Sequence, residues 1–144
     1  MYFEDSLCVV ISRVGRKLLA TIRARLGPYG LTVPQFFILI ALYEGDAESI
    51  TALAKKVGLD KATLTGLLDR LERDGFVTRK ASPGDRRAIQ IHLTEKATRL
   101  RDDLKSLFTE SNRLFLSVLN REERRVLSRV VDKFEKADFS ESLS

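Results

Sequence analysis

At 144 residues the chain has room for one domain with a real core. It has no apolar run near the roughly 20 residues of a membrane span, and its acidic start, MYFEDSLCVV, lacks the basic region of a secretory signal. One cysteine, Cys8, excludes an internal disulfide and fits a reducing cytoplasm. The net charge of +5 is held unevenly: residues 1–48 and 100–144 are each neutral, while residues 49–99 carry 11 Lys or Arg against 6 Asp or Glu. Cations gathered on one segment, with neutral flanks, are what phosphate binding requires.

In chain order, residues 5–26 carry the stripe Leu7, Val10, Ile11, Val14, Leu18, Ile22 and Leu26, which predicts a helix stopped by Gly27-Pro28-Tyr29-Gly30. Thr32 with Gln35 reads as a capping box with Pro34 in the first turn. The helix it opens, to about Tyr43, is apolar nearly all round (Phe36, Phe37, Ile38, Leu39, Ile40, Leu42) and belongs at the centre of the fold. Glu44 to Ser49 reads as a polar loop.

Thr51 to Val57 predicts a short helix ending at Gly58, and only Gly58-Leu59-Asp60 separates it from the next. Asp60 is a candidate N-cap for a helix running to Gly75, with Leu64, Leu67, Leu68 and Leu71 as its buried stripe. Its other face carries Lys61, Thr63, Thr65, Gly66, Arg70 and Arg73. Two short helices joined by a tight glycine turn, the second of them basic, read as a helix-turn-helix. Phe76 to Lys80 and the alternating Ala88 to Leu93 flank Ser82-Pro83-Gly84-Asp85-Arg86-Arg87, which predicts a hairpin with arginines at its tip. Such a hairpin after a recognition helix is the wing of a winged helix.

Thr94 caps a long helix carrying Ala97, Leu100, Leu104, Leu107, Phe108, Ser111, Leu114, Phe115 and Val118. Asn120-Arg121-Glu122-Glu123 is another capping pattern, opening a last helix with Val126, Leu127, Val130, Val131 and Phe134 on one face. The expected architecture is mainly α with a small β-wing, as one winged helix domain over residues 1–138. Flanking helices at 5–27 and 95–138 border a DNA-binding lobe at 32–94, and 139–144 form a frayed tail. The flanking stripes exceed what so small a core covers. Mutual burial across a two-fold axis is the economical solution, and an intramolecular helical bundle is the alternative.

On the recognition face, Lys61, Thr63, Thr65 and Arg70 are candidates for phosphate or base contacts, with Arg70 the one suited to bidentate guanine readout. Gly66 either permits close approach to a groove wall or is a neutral surface position. Arg86 and Arg87 suit a narrow minor groove, whose negative potential attracts arginine. Lys55 and Lys56 end a helix, where dipole capping and phosphate contact explain them equally well. Lone His92, without clustered cysteines or carboxylates, makes no metal site, and no cofactor motif is present. No nucleophile-base pair, phosphate loop or carboxylate pair is evident, so catalysis has no candidate residues.

With these motifs in place, the chain resembles the MarR (multiple antibiotic resistance regulator) family of bacterial transcription factors. The resemblance covers roughly Asp5 to Ala137 and is most specific in Thr63 to Val77 (TLTGLLDRLERDGFV) and Asp85 to Thr94 (DRRAIQIHLT). The second stretch contains the Asp-x-Arg wing signature as Asp85 and Arg87. The resemblance implies an obligate homodimer on double-stranded DNA with a pseudo-palindromic operator, recognition helices in adjacent major grooves and wing tips in flanking minor grooves. It also implies repression relieved by a small phenolic or other anionic effector, or by cysteine oxidation. An effector pocket would draw on residues such as Phe36, Phe37 and Tyr43, which equally suit an ordinary core.

By the same resemblance Asp85 supports the wing through a salt bridge to an arginine of the domain, Arg73 and Arg79 being the two available. Cys8 matches the position of the peroxide-sensing cysteine in one branch of the family. Where those sensors carry activating tyrosines, this chain has Ile22 and Val33, which favours a cysteine at the dimer interface over a redox sensor. The readings of another class are a protein-interaction module and a ligand-sensing module without sequence-specific DNA binding. Intact basic residues on helix and wing favour the regulator.

Overall fold

The computed structural model describes residues 2–46 and 48–140. It forms two compact units, Met1–Thr109 and Glu110–Ser144. In the first, a 3-10 turn at Phe3–Asp5 precedes α1 (Leu7–Leu26), so the helix starts with the first residue of its apolar stripe, two residues later than the expected bound at residue 5. A second 3-10 turn, Gly27–Tyr29, closes at Gly30 in the left-handed region (φ 64°). Helix α2 (Val33–Glu44) opens with the expected capping box: the Gln35 amide donates to Thr32 Oγ1 at 3.3 Å and the Thr32 amide to Gln35 Oε1 at 3.0 Å. Its Phe36, Ile38, Leu39 and Leu42 are fully buried, which makes α2 the axis of this unit.

The polar segment Glu44–Ser49 is not all loop. Glu48–Ser49 forms a short strand, β1, paired antiparallel with Ile91 and Gln90, and Asp46 Oδ1 accepts the Leu93 amide at 2.9 Å. Two residues are too few to show alternation, and what creates the strand is the open edge of its partner. Position 47 lies outside the described residues. Helix α3 (Ile50–Val57) follows, capped by Ser49 and ended at Gly58 in the left-handed region. Helix α4 (Lys61–Arg73) is capped by Asp60, and Gly75 (φ 81°) turns the chain into the hairpin.

Both hairpin strands are longer than the sequence implies: β2 spans Val77–Ser82 and β3 Asp85–Leu93, in the sheet order β1-β3-β2. The turn is only Pro83-Gly84. The register runs evenly from Val77↔Leu93 to Ala81↔Ile89 and then jumps to Ser82↔Asp85. Arg86, Arg87 and Ala88 therefore oppose nothing on β2. This bulge frees the arginine-bearing backbone from the ladder just after the turn.

The long helix after Thr94 is interrupted at Leu100, giving α5 (Glu95–Arg99) and α6 (Arg101–Leu116). Tyr43 from α2 donates its hydroxyl to the Ala97 carbonyl at 2.6 Å, and that carbonyl also accepts the Leu100 amide at 3.2 Å. A regular helix would present the same oxygen to the amide of Arg101, so a buried side chain at this point tightens the turn. In the second unit, α7 (Arg121–Lys136) is opened by a reciprocal Asn120–Glu123 box at 2.9 and 2.8 Å. Val126, Leu127, Val130, Val131 and Phe134 form one face of α7 and are 36–47% exposed. Of the expected tail, only Phe139 and Ser140 fall within the described residues.

Burial pushes the Tyr43 phenol from 10.0 up to about 12, opposed in part by the Arg101 guanidinium, 5.4 Å from its ring centre. The fold thus holds the proton more tightly than the unfolded chain. This contribution is complete below pH 10 and is lost as pH rises through the folded-state value. Tyr43→Phe is expected to lose about 1–2 kcal/mol at neutral pH, read from urea denaturation. Its stability should also fall less steeply than the parent's in alkali; identical alkaline profiles would contradict this account.

Candidate nucleic-acid interface

Helix α4 is held from one side. Leu64, Leu68 and Leu71 are fully buried, so the opposite face is turned to solvent, with Asp69 on it tied to Arg79 of β2. At its start Asp60 accepts the Thr63 amide (2.8 Å) and the Thr63 hydroxyl (2.7 Å), and these bonds hold its carboxyl below the usual carboxylate range. Thr65 donates its hydroxyl to the Lys61 carbonyl at 2.7 Å. Both threonine hydroxyls, expected to face outward as donors, are therefore committed within the helix.

Lys61, Thr63, Gly66 and Arg70 are exposed, and Thr65 is half-buried. A Cβ built on Gly66 meets nothing within 4 Å, so nothing in the described chain demands glycine there.

At the wing, Asp85, Arg86 and Arg87 are all exposed. Asp85 supports the wing differently from the expectation. Its Oδ1 accepts the Arg87 amide at 2.9 Å, bracing the bulge from within the strand. The two arginines available for a salt bridge are engaged elsewhere. Arg73 pairs with Asp74 at 3.3 Å. Arg79 sits in a close ion pair with Asp69 and lies 3.7 Å from Glu72, which also accepts the Arg79 amide at 3.1 Å. The register explains the difference: Arg79 stands opposite Ile91 near the hairpin base, whereas Asp85 borders the turn.

The residues that join helix to wing were not evident as such beforehand. Arg79, 22% exposed along its side chain, ties β2 to the acidic pair Asp69 and Glu72 of α4. The spacing of that pair, three residues apart with a single arginine beyond the glycine turn, is the signal that marks the clamp. Lys96 donates to the Asp74 carbonyl at 2.7 Å and lies 4.4 Å from the centre of the Phe76 ring, while Thr94 donates to the Gly75 carbonyl at 2.6 Å. Both secure the turn after α4. Lys56 resolves its two readings: it donates to the Ala41 carbonyl at 2.9 Å and pairs with Glu44 at 3.1 Å, so it caps the end of α2.

These pairings sort the cations of the basic segment. Lys56, Arg73, Arg79 and Arg99 have acidic partners. Lys96 is held by the Asp74 carbonyl, and among the described residues Lys55, Lys61, Arg70, Lys80, Arg86 and Arg87 have no acidic partner and are exposed. The unpartnered charge is thus on the free face of α4, on the wing and, at Lys55, on the last turn of α3, available to phosphate.

A cavity of about 310 Å³ lies beside this lobe, lined by Leu19 and Arg23 of α1, Val33, Pro34 and Phe37 of α2, and Val57 and Leu59. Its walls are apolar apart from the Arg23 guanidinium. Phe37 is half-buried and faces it, whereas Phe36 and Tyr43 are core residues. Cys8 is an exposed free thiol, and Ile22 and Val33 are buried. His92 is half-buried on β3 opposite Thr78.

The family model described as MarR family matches residues 31–89, from the approach to α2 into β3. An organic hydroperoxide resistance transcriptional regulator of Bacillus subtilis is 31% identical over 102 residues, 71% of this chain and 69% of that one. A mutant MarR from E. coli, solved in complex with operator DNA, aligns with a TM-score of 0.80 at 25% identity, covering 89% of this chain and 92% of that one. CouR from Rhodococcus jostii, solved with p-coumaroyl-CoA, aligns with a TM-score of 0.77 at 29% identity over 94% and 93% of the two chains.

Replacing Arg79 leaves two carboxylates beside each other without their cation. Arg79→Ala is expected to lower stability by about 1–2 kcal/mol in urea titration and to speed amide exchange in β2 and β3 more than in α2. Unchanged exchange in the hairpin would show that the clamp does not hold the wing.

Proposed function

Because the chain belongs to the MarR family of transcriptional regulators, we propose that it works as a homodimeric repressor on a pseudo-palindromic operator in double-stranded DNA. Helix α4 enters the major groove with Lys61, Thr63, Thr65, Gly66 and Arg70 at its surface, and the wing lays Arg86 and Arg87 in the flanking minor groove. The observation that carries this reading is the sorting of charge: structural cations are paired, and of the six exposed unpartnered ones all but Lys55 of α3 stand on α4 and the wing.

The second copy covers the apolar faces that one chain leaves in water, Leu7, Ile11 and Val14 on α1 and Val126, Leu127, Val130, Val131 and Phe134 on α7. That pairing sets two α4 helices about one turn of DNA apart. The work is done in the cytoplasm, where the DNA is, and involves no catalysis.

Release of the DNA falls to a small aromatic anion, of phenolic or carboxylate type. The cavity beside α1 and α2 suits it by size, by apolar walls and by the single cation Arg23.

Two experiments test these assignments. Affinity for an operator selected from random duplexes should drop about 10³–10⁵-fold between 50 and 200 mM salt if six to ten phosphates are neutralised. Arg70→Ala should cost about 1–3 kcal/mol and relax preference at one base pair per half-site, whereas Arg87→Ala should weaken all sequences alike. Binding that ignores salt would overturn the reading. For the effector, hydroxybenzoate should raise the melting temperature of the parent and not of Arg23→Ala; equal shifts in both would place the ligand elsewhere.

A further inference from the structure

Resting on the duplex-DNA reading above, we propose that the first two turns of α4 read thymine 5-methyl groups by apolar contact through Ala62, Thr63 and Thr65, with hydrogen-bond readout left to Lys61 and Arg70. With Leu64, Leu68 and Leu71 buried, the helical repeat puts Ala62, Gly66, Asp69 and Arg73 at the crest of the free face. Asp69 is held by Arg79 and Arg73 by Asp74. The forward half of the crest is therefore a methyl group at Ala62 and bare backbone at Gly66, both exposed.

On either side stand Thr63 and Thr65, whose hydroxyl protons are already donated to Asp60 Oδ2 and the Lys61 carbonyl, each at 2.7 Å. Neither threonine offers a free proton to guanine O6 or N7, so hydrogen bonds from this end of the helix fall to Lys61. What the threonines keep for a partner is their methyl groups and the lone pairs of their hydroxyl oxygens. In the major groove only thymine presents an apolar group, and alanine and threonine methyls are its natural contacts.

Gly66 adds an independent observation. Glycine weakens a helix interior relative to alanine, and the space around this one is empty in the chain itself. Only an outside surface that comes close gives a reason to leave it bare. A base edge meeting Ala62 and the threonine methyls would do so.

The test uses the full-length protein and the duplex it selects from a random library, with each thymidine replaced in turn by deoxyuridine, which lacks only the methyl. One or two replacements per half-site should weaken binding about fourfold each. In Ala62→Gly one of those replacements should lose its effect, and Gly66→Ala should melt higher yet bind the selected duplex less well. If the selected duplex is bound specifically and deoxyuridine matches thymidine at every position, this inference is overturned while the DNA reading stands. If selection enriches no sequence, the DNA reading fails and takes this inference with it.

Discussion

A helix that reads a groove has to be gripped from behind, because anything lying across its outer face would occupy the space the DNA must fill. In this chain the grip is the triad Leu64, Leu68 and Leu71, each with no measurable exposure, set against a unit whose axis is the fully buried face of α2. Burying three leucines contributes roughly 5–8 kcal/mol by transfer free energy, an upper figure because the unfolded chain already shelters some of that surface. The contribution is non-directional, so it fixes which face of α4 points inward and leaves its angle to the wing undetermined. Directional bonds supply the angle: Arg79 to Asp69 and Glu72, Lys96 to the Asp74 carbonyl, Thr94 to the Gly75 carbonyl.

The same division governs the charges. A basic segment could spread its cations evenly or use them as internal ties. This one does both. Lys56, Arg79 and Lys96 are bound to carboxylates or carbonyls, whereas Lys61 and Arg70 of α4 and Lys80, Arg86 and Arg87 of the wing are exposed without an acid beside them. Pairing near the base also neutralises Asp69 and Glu72, acids that would otherwise repel phosphate from the reading face.

Much of this was legible from residue order because strong periodicity survives tertiary context. The capping boxes at Thr32 and Asn120 and the all-round apolarity of α2 depend on local geometry, and the structure has each of them; of the α4 stripe it buries Leu64, Leu68 and Leu71 and leaves Leu67 at the edge, half-buried. What escaped depends on contacts between distant residues. Strand β1 exists because β3 has an edge to fill, and the break at Leu100 exists because Tyr43 reaches a carbonyl 54 positions away. The three-residue slip that frees Arg86 and Arg87 is invisible in a run of residues that reads equally well as a longer turn. In the candidate site, residue type was readable and rotamer was not. Thr63 and Thr65 were recognisable as surface hydroxyls, but whether the proton faces solvent or the helix is decided by Asp60 and the Lys61 carbonyl. The salt bridge expected of Asp85 is absent among the described residues, because Arg73 and Arg79 pair with other acids and its carboxylate accepts the Arg87 backbone amide instead.

The central claim is that two such lobes present their α4 helices to one face of DNA at a fixed separation. Chemical footprinting on the selected duplex addresses it most directly, combining guanine N7 methylation with hydroxyl-radical cleavage. The account predicts two protected major-groove segments centred about one helical turn apart, each bordered on its outer side by a protected minor groove. A single protected segment, or two whose separation varies from duplex to duplex, would contradict it.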